Sequence, residues 1–335
     1  MKYEFSIIGN HLWYNYDKLY IKDFDTQNIT YNEKIESLLK HFKFSTKLAE
    51  ALNVHRMSIQ NWKEDSATIS KENRLAIDIL YAKYCIIPNL KKSEVDKMVK
   101  ELMQENHEKF IANIDIVVEV SKKNAFGSLE VEIDDADERM FYRVIDGSYI
   151  EKDIDKRRFL EMNNLATLTK QILIDTQENK IQSIDSETIK KWHNILMLGI
   201  RDDAGIYSTK IRIIPDLKIT LTAPEDIPDE MEYWVKKYNN VKTIEEIAHA
   251  HEHFELIHPF GDGNGRIGRL IVASQFIKNG ILPPLIDRYN KALYYVALEQ
   301  AQITGNIVPL VYFFCDAIER MKEKVGIGGY FTKQK

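Results

Sequence analysis

The residues best equipped for chemistry fall in one run of twelve, His258-Pro259-Phe260-Gly261-Asp262-Gly263-Asn264-Gly265-Arg266-Ile267-Gly268-Arg269. His258 titrates near neutrality and can take a proton from an incoming hydroxyl. Asp262 offers a hard oxygen of the kind that holds a magnesium ion bridging phosphates. Gly263 and Gly265 allow a positive φ and leave the backbone bare, so several N–H groups can converge on one oxygen. Arg266 falls near the start of a helix, where free N–H groups and the dipole favour anions. Arg269, three residues on, projects from the same face. Two such forks suit a di- or triphosphate better than a single carboxylate. Gly-Asp-Gly-Asn-Gly alone would read as a surface turn, and His-Pro alone as a helix stop. Their joint occurrence with two arginines at this spacing points to a loop that binds a polyphosphate and acts on it.

Such a loop must be held by helices. An apolar helical run leads in over Ile244–Ile257 and another leads out from Ile267. Helical periodicity also marks residues 159–173, 185–198, 226–238, 289–304 and 308–324. Residues 205–222, with Ile211, Ile213, Ile219 and Leu221 around Pro215-Asp216, read as a β-hairpin. Residues 91–123 read as one long charged helix. Beyond them Leu129, Val131 and Ile133 alternate like a strand before an Asp-rich loop. Upstream, residues 32–84 carry helical faces such as Ile35, Leu38, Leu39 and Phe42. The aromatic and polar segment 1–30 takes no firm assignment. The expected organisation is an N-terminal region 1–90 with a helix-turn-helix within 33–84, a helical linker region 91–152, a core over 153–325 and a flexible tail 326–335. The fold class is mainly α, a helical core with a small β-hairpin flap plus an N-terminal helical domain.

The chain has 335 residues and a net charge of -5, which excludes a globally basic nucleic-acid binder but not a local basic face. Two cysteines, Cys85 and Cys315, argue against a disulfide framework and for a reducing compartment. Met1–Asp17 lacks the apolar region of a signal peptide, and no stretch approaches the roughly 20 apolar residues of a membrane span. A cytoplasmic location without membrane contact is expected. Cys315, in an apolar helix, should be buried and inert. His249 and His253 have zinc-helix spacing, but His251 faces elsewhere and no cysteine or carboxylate set completes a site, so no structural zinc is expected.

The run at 258–269 matches the Fic signature, His-x-Phe-x-(Asp or Glu)-Gly-Asn-Gly-Arg-x-x-Arg, at every defined position. The resemblance extends over about residues 155–322, through Trp192-His193-Asn194-Ile195-Leu196, Gly205-Ile206-Tyr207, Pro224-Glu225-Asp226-Ile227-Pro228 and Phe254-Glu255-Leu256-Ile257. The chain therefore resembles the Fic proteins, all-α cores that mostly move AMP from ATP onto a Ser, Thr or Tyr hydroxyl of a target protein. The resemblance implies that His258 is the general base and Asp262 the Mg²⁺ ligand. It implies that the N–H groups of Gly263, Asn264 and Gly265 cradle the α-phosphate, and that Arg266 and Arg269 hold the β- and γ-phosphates. Lys210, Ile211 and Arg212, in the hairpin 210–221, would belong to the flap that aligns a target segment by strand addition. Tyr294 and Tyr295 would border the adenine, or would be ordinary helix-face aromatics. In the Doc-like kinase branch a Lys precedes the first loop arginine. Gly265 stands there in this chain, which favours nucleotidyl transfer, while removal of AMP leaves the direction open. The implied substrate is ATP with Mg²⁺. The implied partner is a target-protein hydroxyl, with self-modification and a homodimer left open.

Many Fic proteins are restrained by a helix bearing (Ser or Thr)-x-x-x-Glu-(Gly or Asn), whose Glu pairs with the second loop arginine, here Arg269. The full match is Thr68-Ile69-Ser70-Lys71-Glu72-Asn73, although it lies far upstream and reads more simply as a helix start. Gly147-Ser148-Tyr149-Ile150-Glu151-Lys152 is a degenerate form. Glu72 and Glu151 are thus the candidate inhibitory residues. Ser128 and Glu132 also have the spacing, but Ile133 follows.

Ser45–Lys63 resembles a helix-turn-helix of the phage-repressor type. Ala49 is small where two helices cross, Asn53 takes the tight-turn position, and Val54, Ile59 and Trp62 face inward. That leaves His55, Arg56, Ser58, Gln60, Asn61 and Lys63 outward. Of these, Arg56, Ser58, Gln60, Asn61 and Lys63 are the candidate DNA contacts, in a locally basic stretch. The alternative to the enzyme is a DNA-binding regulator whose Fic core is a sensor or is silenced. A helical pair that binds protein, or nothing, stands beside it.

Overall fold

The structure is a computed structural model and describes residues 29–105, 108–148, 154–212 and 219–326. By their internal contacts these residues form two units. Of the described residues, the first holds those from 29 to 91 with 289–297, and the second those from 92 to 288 with 298–326.

In the first unit α1 (Tyr31–Phe42), α2 (Ser45–Ala51), α3 (Arg56–Glu64) and α4 (Lys71–Tyr81) pack on one another. Thr30 opens α1 with a capping box, exchanging hydrogen bonds with Glu33. Leu48, Ala49, Leu52, Ile59 and Trp62 are buried between α2 and α3. The four-residue turn between those helices places Asn53 at φ 52°, a left-handed conformation that Asn tolerates better than most residues. Lys34 is 2% exposed and its Nζ reaches Asp78 Oδ1 at 2.7 Å, tying α1 to α4. Glu72 sits in the first turn of α4, behind the N-cap Ser70. Cys85 is buried in this unit.

The second unit contains α5 (Lys92–Gln104), α6 (Glu108–Ile111), α7 (Ile114–Glu132), α8 (Glu138–Ile145), α9 (Lys156–Gln177), α10 (Ser186–Leu196), α11 (Ile227–Tyr238), α12 (Ile244–Ile257) and α13 (Asn264–Lys278). After it the chain runs through α14 (Lys291–Thr304), which begins in the first unit, to α15 (Val308–Lys324). Two expectations fail here. Residues 91–123 are not one helix, because α5 ends at Gln104 and Asn113 restarts the chain by accepting a hydrogen bond from the Asp115 N–H. The strand expected at Leu129, Val131 and Ile133 is the last turn of α7. From Asn124 to Val131 that helix is buried on all sides, so its apolar residues follow no single face. Their alternation is a consequence of burial.

Helix α13 lies at the centre, buried almost continuously from Arg266 to Ile277, with α7, α9, α10 and α12 around it. The Thr176 and Ser274 hydroxyls bond at 2.8 Å between α9 and α13, and Trp234 Nε1 donates to the Ala250 carbonyl at 2.8 Å between α11 and α12. A capping box of Thr243 and Glu246 opens α12, worth about 1 kcal/mol. Of the expected hairpin, residues 213–218 lie outside the described residues, and the described flanks form no strand. Cys315 is buried in α15, where burial raises its thiol well above the ordinary value. Among the described residues no helix is long and apolar enough to cross a membrane, and no three metal-ligating side chains cluster.

Candidate active site

The site is a turn between two buried helices. His258 closes α12 in the left-handed conformation, φ 49°, with its N–H donating to the Phe254 carbonyl at 2.9 Å. Pro259 then blocks further helix. Phe260 is fully buried and stacks on His193 at 3.7 Å between ring centres, with 3° between planes. Asn264 ties the turn to itself: its side chain accepts from the Phe260 N–H and donates to the Phe260 carbonyl, both at 2.8 Å. Gly263, at φ 80°, forms the N-cap of α13. The first N–H groups of that helix, from Asn264 and Gly265 on, have no partners within it.

His193 braces the turn from α10. Its Nδ1 accepts from the Gly205 N–H at 2.8 Å, so Nε2 carries the proton and donates to the Asp262 carbonyl at 3.0 Å. Burial keeps this imidazole below its ordinary pKa and therefore neutral. One side chain thus joins α10, the 258–269 loop and the segment that leads toward the expected flap. The resemblance brought His193 forward as part of a helix motif and gave it no role; a polar residue amid Trp192, Ile195 and Leu196 was the available signal.

Arg266 is 7% exposed and its Nη2 lies 3.0 Å from Asp262 Oδ1, which also accepts from the Gly263 N–H at 2.6 Å. Arg269 is 4% exposed. Its Nε donates to Ser128 Oγ at 2.9 Å, and its Nη2 donates to the Ser128 carbonyl at 3.3 Å and to Glu132 Oε1 at 2.6 Å. Burial alone would raise the Glu132 carboxyl, but the Arg269 and Arg266 guanidiniums outweigh it and hold the group below its ordinary value. A Cβ on Gly265 would lie 3.0 Å from Arg269 Nη1 and 3.1 Å from Glu132 Oε1, so the bare backbone makes room for this pair. Among the described residues, Glu132 at the end of α7 is a carboxylate that reaches Arg269. Glu72 belongs to the first unit, and Glu151 lies outside the described residues.

Around the base, the expected flap residues Lys210, Ile211 and Arg212 precede the undescribed 213–218. Arg212 donates to the carbonyls of Thr222 and Ile257. The Ser208 N–H donates to Pro259 O at 2.8 Å and the Thr222 N–H to Leu256 O at 3.2 Å, so the chain on both sides of 213–218 is stitched to the His258 turn. Ile211 is 81% exposed. His258 is buried enough that its pKa falls below the ordinary value, which leaves the imidazole neutral and able to accept a proton near pH 7. Tyr294 and Tyr295 belong to the first unit, the former buried and the latter 40% exposed.

Residues 183–275 match the family described as Fic/DOC. A probable protein adenylyltransferase of Aquifex aeolicus is 30% identical over 160 residues, 46% of this chain and 49% of that protein. Protein adenylyltransferase fic-1 of Caenorhabditis elegans is 32% identical over 101 residues, 29% of this chain and 20% of that one. The chain thus spans about half the length of the first relative and about a fifth of the second. Among solved structures, a Fic domain containing signalling protein of Bacteroides thetaiotaomicron superposes with a TM-score of 0.56 at 18% identity, over 71% of this chain and 97% of that one. Fic-1 of C. elegans superposes with a TM-score of 0.55 at 16% identity, over 81% and 92%. These structural likenesses show a shared fold. The region built around the 258–269 loop is a Fic/DOC domain.

Proposed function

We propose that this domain transfers AMP from Mg–ATP to a Ser, Thr or Tyr hydroxyl of a protein. One observation carries the reading: a neutral, half-buried imidazole, a carboxylate, a helix N-terminus and two buried guanidiniums meet in one turn, as the transfer requires. His258 takes the proton of the target hydroxyl, whose oxygen bonds to the α-phosphorus as the bond to the bridging oxygen breaks and pyrophosphate leaves. The N–H groups of Gly263, Asn264 and Gly265 hold the α-phosphate and its growing charge. Arg266 and Arg269 bind the β- and γ-phosphates. The half-exposed Asp262 carboxylate would hold a magnesium ion with a hard oxygen. The chemistry supplied at Asp262 by such an ion would be the offsetting of charge on the departing phosphates. The two flap ends at Ser208 and Thr222 present a target segment over His258.

The Arg269–Glu132 pair supports a second element, a brake. An Arg269 engaged by Ser128 and Glu132 cannot receive a γ-phosphate in the same place. Glu132 is proposed for this role beside Glu72 and Glu151, on its contact with Arg269. Incubation with ATP labelled at the α- or the γ-phosphate tests the reading. Protein of a Glu132→Ala variant should take up α-label and no γ-label, and His258→Ala should abolish uptake. Label from the γ-position alone would replace adenylyl transfer by phosphorylation.

A DNA-binding role for Ser45–Lys63 is favoured by one specific observation: the left-handed Asn53 between α2 and α3, with Arg56, Gln60, Asn61 and Lys63 exposed along α3. Short helices set by such a turn present the second helix to the major groove. A gel shift that weakens with salt and is lost in Arg56→Ala or Gln60→Ala tests it. Ser58 would add a contact to the same face.

A further inference from the structure

Glu255 is a carboxylate buried to 6% exposure in the last turn of α12, one turn before His258. Its Oε1 makes no hydrogen bond. Its Oε2 lies 4.0 Å from His258 Nδ1, an atom that is itself buried and makes none. The room it occupies is made by Gly268 on α13: a Cβ there would lie 2.2 Å from Glu255 Oε1 and 3.1 Å from His251 Cε1. Burying a carboxylate with an oxygen left unbonded is costly, so a role beyond packing is called for.

The charged groups facing this pair come from each neighbouring helix. On α12 itself His251 is fully buried and held neutral, its pKa lowered to about 3 by that burial. From α13 Arg269 acts on Glu255, and from α7 Glu132 does. His258 additionally feels Arg212 and Asp262.

We propose that Glu255 is the positioning residue of the base: its carboxylate accepts the Nδ1–H of His258, leaves Nε2 bare toward the target hydroxyl, and steadies the imidazolium formed when that hydroxyl's proton is taken. The inference rests on the adenylyl-transfer reading above. A carboxylate behind a histidine fixes the tautomer and orientation of the ring, a general device of histidine bases. A gap of 4.0 Å closes by rotation of two side chains, and catalytic hydrogen bonds commonly tighten when substrate arrives. Burial raises the Glu255 carboxyl to about 7, while His258 lies below its ordinary value. Glu255, and not the base, then sets the acid limb of the rate. The backbone of Glu255 also acts on the His258 ring, and its carbonyl is the rival holder.

The experiment uses the full chain with Glu132→Ala as parent. Glu255→Met keeps the side-chain length in an apolar site and removes the acceptor; Glu255→Gln keeps an acceptor oxygen without the charge. The expected result is a kcat at least about ten-fold lower in Glu255→Met with KM for Mg–ATP unchanged, partial recovery in Glu255→Gln, and loss in both of the acid limb near pH 7. Imidazole ¹⁵N spectra of the nucleotide-free proteins, with His258 assigned from His258→Ala, give a readout that does not depend on activity. The Nδ1–H tautomer should dominate in the parent and lose that dominance in Glu255→Met. An unchanged kcat, or the same tautomer in both proteins, leaves the backbone carbonyl as the holder and overturns the proposal. A parent that transfers no AMP defeats the adenylyl-transfer reading, and the tautomer then decides on Glu255 by itself.

Discussion

Replacing Glu132 by alanine should switch the domain on. In the structure Glu132 Oε1 accepts from Arg269 Nη2 at 2.6 Å, and the arginine side chain is 4% exposed. A hydrogen bond to a charged partner contributes about 1.5–3 kcal/mol. Glu132 itself keeps 36% of its side chain exposed, so solvent screens the pair and the lower half of that range applies. That half corresponds to a gain of about 10- to 40-fold in the affinity for Mg–ATP. Ser128→Ala removes only the hydroxyl contact with Nε and should give about 2- to 10-fold. Both gains should vanish in an Arg269→Ala background, because the brake and the γ-phosphate compete for one guanidinium. Calorimetric titration with Mg–ATP reads the affinities, and uptake of α-labelled AMP reads the rates. Equal affinity and equal rate in Glu132→Ala and the unsubstituted chain would refute the reasoning. So would a gain that survives Arg269→Ala.

Other consequences follow from the same contacts. His258→Ala should lower AMP transfer about 100- to 10,000-fold while calorimetry shows Mg–ATP binding intact. The Glu132 carboxyl is held below its ordinary value, so its pairing with Arg269 is fully present above that value and is lost only as pH falls through the lowered one. The activation produced by Glu132→Ala should therefore be the same from pH 5.5 to 8, as rates measured across that window would show. His193→Ala removes two hydrogen bonds and the stack on Phe260, at a cost of about 2–4 kcal/mol, seen as a lower denaturation midpoint in urea. Gly268→Ala should displace Glu255, since the added Cβ would fall 2.2 Å from Oε1, and should lower kcat as Glu255→Met does.

What could be read without coordinates divides along physical lines. Helices α12 and α15 are legible to the residue, because Thr243 and Glu246 cap one and Pro309 opens the other. The turn that joins α12 to α13 is legible because its glycines, histidine and arginines are chemically uncommon in company. Helix α7 was hidden by its own burial. A helix covered on every side shows no polar face, so Leu129, Val131 and Ile133 imitate a strand, although Val117, Val120, Asn124, Ala125 and Leu129 keep helical spacing. An alternation that imitates a strand conceals the helix that carries Ser128 and Glu132, and Ile133 disguises the end of the motif. Asn113 as an N-cap was the signal that would have restored them. Glu255 could be noticed as an acid in an apolar run, but its neighbour Gly268 is thirteen positions away and only packing joins the two.

The central claim concerns the pose of a nucleotide. A crystal structure of the Glu132→Ala protein with Mg²⁺ and an ATP analogue carrying a methylene between the α- and β-phosphorus tests it most directly. The expected result is metal on Asp262, the β- and γ-phosphates on Arg266 and Arg269, and the α-phosphorus open to a hydroxyl placed beside His258 Nε2. A nucleotide seated with its γ-phosphorus nearest His258, or bound without either arginine, would contradict it.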